Sequence, residues 1–216
     1  MSYNAHIEAL QSQLGMDEID GIEGPKTTGT LLAAARAGRL SVTAMPPRAA
    51  TVQALPWISA LQTVFGLHET RDKASLAAWL RLDGKTLGDP SALPWCGDAV
   101  ETAIKLSLPR EPFPGAVGEN PYFARNWAQF GRKVNPSYGA IGVFERGPNA
   151  GHVGFLVGQG VTSFFVFGGN QGDSVSVVAI AKTRLLAARW PVTAQSDPDL
   201  LPKMDGSKIP KSVNEF

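Results

Sequence analysis

Between Gly139 and Arg189 the chain breaks into five short apolar runs, with glycine in three of the four connections, and this pattern constrains the fold more than any other feature. The runs cover residues 140–144, 153–157, 162–167, 174–180 and 184–189. Each has strand length, and the connections are too short for the crossover of about a dozen residues that parallel pairing needs. Upstream the periodicity is helical, over 56–65, 75–80, a segment beginning at Cys96, and 122–130. Helices first and antiparallel strands after predict an α+β domain over residues 55–192.

The flanks read differently. Residues 1–42 carry two apolar stripes, Ile7, Leu10 and Leu14 and then Leu31 and Leu32, on either side of a turn-rich stretch, which predicts a small helical module. Pro46 and Pro47 mark 43–54 as a linker, because adjacent prolines cannot continue a helix. Residues 193–216 are rich in Asp, Pro, Lys and Ser and read as a poorly ordered tail or an extended arm. A formal net charge of +1 gives no global field to attract nucleic acid or an anionic membrane. No apolar run is long enough to span a bilayer, and the N-terminus lacks the pattern of a secretory leader. A single cysteine permits no internal disulfide, which fits synthesis in a reducing compartment.

That cysteine, Cys96, opens the helix beginning Cys96-Gly97-Asp98. A helix start leaves backbone N–H groups unpaired and carries partial positive charge, which favours a thiolate. His152 follows at the edge of an apolar strand, and the carboxamides of Asn170 and Gln171 stand at the end of the next. Cysteine, histidine and asparagine in this order point to a nucleophile, its base and an orienter, with Gln171 able to take the place of Asn170. The plain alternative is a cysteine that serves as a small buried hydrophobe. Gly151, Gly154, Gly168, Gly169 and Gly172 flank these positions, either to admit a bulky substrate or to serve turns and bulges. Asp98 is expected as a partner of the helix dipole, Glu69 as a cleft residue or a helix-end charge, and Trp95 and Trp127 as cleft walls or core. A zinc amidase would need three or more converging ligands, and three scattered histidines with one cysteine do not suggest them. A glycosidase would need paired carboxylates, and nothing pairs Glu69 with Glu101.

Pro94-Trp95-Cys96, Gly139-Ala140-Ile141-Gly142-Val143-Phe144, Gly151-His152-Val153-Gly154-Phe155 and Gly168-Gly169-Asn170-Gln171 together resemble the CHAP and NlpC-type papain-like amidases and peptidases that cut bacterial cell walls. The likeness spans residues 56–191 and is greatest to a phage-associated subgroup. Residues 20–27, Asp20-Gly21-Ile22-Glu23-Gly24-Pro25-Lys26-Thr27, resemble the core of a three-helix peptidoglycan-binding module, truncated and with Glu23 where that family usually has an aromatic residue. The resemblance implies a papain-like fold, a nucleophile helix on an antiparallel sheet, behind a small helical module. It implies an endolysin-type hydrolase of a peptidoglycan amide bond, with Cys96 as nucleophile, His152 as base and Asn170 as orienter, needing no metal or cofactor. The expected partner is bacterial peptidoglycan, with no nucleic acid and no membrane insertion, and the enzyme is expected as a monomer. It would be made in the host cytoplasm and act on the periplasmic wall after release. The bond cut stays open between amidase and endopeptidase, as does the origin, a phage lysin, a gene-transfer-agent lysin or a secreted effector. The alternative from another class is a non-enzymatic wall-binding or virion structural protein.

Overall fold

Pro56 opens helix α1 (Pro56–Gln62), where its missing N–H would have had no helical partner in any case. The chain divides into two units, residues 1–50 and 51–216. The computed structural model describes residues 55–207 and 209–212, so the helical module expected over 1–42 and the linker over 43–54 lie outside the described residues. Helices α2 (Lys73–Leu80), α3 (Cys96–Ser107) and α4 (Gly115–Glu119) follow, then a 3-10 helix over Ala124–Gln129. Strands β3 (Ile141–Glu145), β4 (Gly151–Gln159), β5 (Ser163–Gly168), β6 (Ser176–Ala181) and β7 (Leu185–Trp190) fall within a few residues of the five apolar runs. With β1 (Arg132–Lys133) they form a six-stranded sheet of order β1-β7-β3-β4-β5-β6, antiparallel at every pairing. The architecture is α+β. Among the described residues no helix is long and apolar enough to cross a membrane.

Helix α3 is the centre of the domain. Every residue from Cys96 to Ile104 is buried, the polar Asp98, Glu101 and Thr102 among them. The helix packs on β4 and β5 and against α1. Aromatic residues fill the rest of the core. The Trp57 and Trp190 rings meet edge to face at 5.2 Å, and Trp57 Nε1 donates to the Gly139 carbonyl at 2.9 Å. Trp127 packs against Phe113 and Phe130 and donates to the Pro121 carbonyl at 2.7 Å, so it is core and no cleft wall. The ring geometry of such pairs adds about 0.5–1.5 kcal/mol each beyond the area they bury.

The C-terminal residues are an arm laid on the domain. Glu111, itself buried, accepts from the backbone N–H groups of Val192 and Thr193 at 2.7 and 2.8 Å and fixes where the arm leaves β7. Strand β8 (Asp199–Leu200) then pairs with β2 (Ser137–Tyr138). Single bridges join Gln159 to Lys203 and Ala179 to Lys211. Their composition is polar because most of these residues face solvent. Their order comes from main-chain hydrogen bonds to strand ends, which composition does not register.

Candidate active site

The site sits where α3 begins and β4 runs past it. His152 pairs across the sheet with Phe144, at the point where the β3–β7 register shifts, and is fully buried. Such bulges re-aim side chains and are common beside functional sites. Two glycines let the pieces close up. A side chain at Gly97 would stand 2.4 Å from the Pro121 carbonyl oxygen, so only glycine can follow Cys96 under this loop. A side chain at Gly169 would stand 2.3 Å from the Trp95 ring and 2.8 Å from Ala99, so glycine there lets the end of β5 touch the helix start. Gly154 is likewise filled by Val166, whereas Gly172 has φ +61° and forms a turn. These glycines serve the packing of the protein on itself.

The imidazole's partner is Gln171. His152 Nε2 lies 3.0 Å from Gln171 Oε1, and both side chains are buried. The carbonyls of Val166, Gly168 and Ser176 surround Gln171 Nε2, at 3.3 and 3.2 Å for the first two. An amide nitrogen so placed must donate, which leaves Oε1 as the acceptor. Nε2 of His152 therefore carries the proton, and Nδ1 carries the lone pair. Asn170, expected as orienter, does not hold this ring. It has φ +56°, a left-handed conformation that Asn tolerates. Its Oδ1 is buried with no hydrogen-bond partner among the described residues.

Cys96 is 3% exposed. Burial pushes its thiol above the ordinary value, against the pull of the Val153 N–H, the Arg146 charge and the N–H groups of Gly97 and Cys96. The helix start thus acts in the direction expected of it, but desolvation outweighs it, and the resting sulfur is a thiol. The Val153 N–H places the sulfur beside the residue that follows His152.

A cleft of about 880 Å³ opens next to these groups. Pro94 and Asn170 are among its lining residues, and Cys96 and His152 are not. Its walls carry both signs of charge, with Glu69, Glu145 and Asp173 against Arg146 and Arg184. Glu69 also accepts from Trp95 Nε1 at 2.8 Å, tying the wall to the residue before Cys96. Sequence reasoning raised Glu69 but missed Arg146, Asp173 and Arg184, which come from three separate connections between strands with no local pattern to announce them. Among the described residues no group of three or more His, Cys, Asp or Glu is placed to hold a metal ion.

Asp98 is more than a dipole partner. It is buried, and its Oδ2 accepts from Thr86 Oγ1 and the Leu87 N–H, both at 3.0 Å, which clamps the loop before Cys96 to the helix. Burial pushes its carboxyl from 3.8 up to about 6, helped by Glu101 and Asp83. An acid raised on folding binds its proton more tightly in the folded state. Its contribution therefore favours the fold below about 4 and is lost as the pH rises through about 6. Asp98→Asn keeps an acceptor for the loop and removes the charge. Thermal unfolding of this variant should depend less steeply on pH between about 4 and about 7 than that of the wild type. Equal slopes for the two proteins would refute the assignment.

Neither a protein-family model, nor a curated protein, nor a solved structure matches this chain.

Proposed function

We propose that residues 55–212 are a papain-like cysteine hydrolase that cleaves an amide bond of bacterial peptidoglycan. The observation that carries this reading is the locked tautomer of His152. Gln171 fixes the proton on Nε2, so the ring carries a lone pair at Nδ1, and the N–H of the next residue, Val153, reaches the thiol at the helix start. Order and placement agree with a papain-like plan, with the nucleophile opening a helix on an antiparallel sheet, the base on a strand and its partner at the end of the next.

The thiol proton passes to His152 Nδ1 as Cys96 Sγ attacks the amide carbonyl carbon. The C–N bond then breaks, and His152 returns the proton to the leaving amine. Water hydrolyses the thioester as His152 takes its proton and returns it to Cys96 Sγ when the C–S bond breaks, and the net change is amide plus water to acid plus amine. Burial raises the proton affinity of the Cys96 thiol, so in this reading the base has that proton to take. The Cys96 backbone N–H is the candidate donor to the oxyanion. A peptidoglycan stem carries carboxylates and, at its diamino acid, an amine, and the cleft offers cations and anions to meet them. In this reading residues 1–42 hold the enzyme at its polymer.

The burial of Cys96 favours a second reading, a non-enzymatic wall-binding or virion protein with an inert structural thiol. Mass spectrometry of purified peptidoglycan incubated with the protein separates the two. New free amines and carboxylates at one bond type are expected, and their position distinguishes amidase from endopeptidase. An unchanged fragment pattern would sink the hydrolase reading.

A further inference from the structure

Asn170 and Gln171 are consecutive carboxamides, each 2% exposed, with opposite hydrogen-bond states. Gln171 is saturated by His152 and three carbonyls. Asn170 Oδ1 has no partner among the described residues, although a buried amide oxygen left unmade costs about 1–3 kcal/mol. Asn170 also lines the cleft, on a left-handed backbone that Asn tolerates.

We propose that Asn170 is a substrate-binding residue whose carboxamide pairs with a backbone amide of a peptide in the cleft. Oδ1 accepts the peptide N–H, and Nδ2 faces the peptide carbonyl, so the side chain selects an extended peptide next to the bond attacked by Cys96. The ligand class is thus a secondary amide, and the role is distinct from orienting His152. This inference rests on the hydrolase reading for the identity of the peptide, a peptidoglycan stem.

The test measures binding, without turnover, of a purified disaccharide–peptide muropeptide to full-length Cys96→Ala protein by calorimetry. Adding Asn170→Gly, which suits a left-handed position, should weaken binding about tenfold, the worth of one buried hydrogen bond. Asn170→Asp, which keeps the size and the turn, should also weaken it by losing the donor. In a protein with Cys96 intact, Asn170→Gly should leave the pH profile of thiol alkylation unchanged, whereas Gln171→Ala should shift it. Undiminished muropeptide binding by both Asn170 variants, no binding by the Cys96→Ala protein, or an alkylation profile shifted by Asn170→Gly as by Gln171→Ala, would each overturn the proposal. Binding that depends on Asn170 in a protein whose wild type cuts nothing would leave this site standing and remove the hydrolase reading instead.

Discussion

Cys96→Ala should abolish the release of soluble fragments from purified peptidoglycan while leaving a folded domain. The change deletes one buried sulfur, so packing loss should cost on the order of 1 kcal/mol, small against a fold held by α3 and the aromatic core. The loss of rate is of another order. A nucleophile has no substitute in an acyl-transfer mechanism, and removing one in comparable hydrolases costs on the order of 10⁶-fold. Fragment release is checked by chromatography and mass spectrometry, and folding by the unfolding temperature. A folded Cys96→Ala protein that still releases fragments at near the wild-type rate would end the enzymatic reading.

His152→Ala should be nearly as severe, because the same ring takes the proton from the thiol and hands it to the leaving amine. Gln171→Ala should cost less, by on the order of a hundredfold, since the nucleophile and base remain and only the fixed tautomer is lost. The comparison also assigns the third role. Initial rates of fragment release from His152→Ala, Gln171→Ala and Asn170→Ala proteins separate the possibilities. If Asn170→Ala slowed turnover at saturating substrate while Gln171→Ala did not, the hydrogen bond from His152 to Gln171 would have no catalytic meaning. A His152→Ala protein of wild-type rate would remove the base itself.

The strands from β3 to β7 were legible because each is apolar over a short run and bounded by turn residues, and their antiparallel pairing follows from the short connections. Helix α3 was legible as a helix, but its burial was not. Asp98 and Glu101 look like a solvent-facing stripe, and they are covered by the loop carrying Asp83, Thr86 and Leu87 and by Lys105, with which Glu101 forms an ion pair. Charge on a helix reveals a polar face and says nothing of a loop that returns to cover it. The site divides in the same way. Cys96 and His152 stand out as rare residue types at element ends. The choice between Asn170 and Gln171 depends on the assembled fold, in which Gln171 meets the imidazole and Asn170 lines the cleft. The thiol's raised proton affinity depends on burial, and burial is a property of the assembled core.

The arm that closes the domain has a consequence for the timing of synthesis. Strand β6 ends the sheet, and along it the bond from the Ala179 N–H is accepted by Pro210 while the Ala179 carbonyl accepts from Ser212. Met204 fills the space above Gly158, and Gly206 lies against the Phe165 ring. While a ribosome is still adding these residues, helix α3 and all six sheet strands have been translated, yet that margin of the sheet still lacks its cover. An uncovered strand margin is where nascent chains pair with one another. For this chain the hazardous interval during translation runs from the completion of β7 to the arrival of the residues that bridge to Gln159 and Ala179.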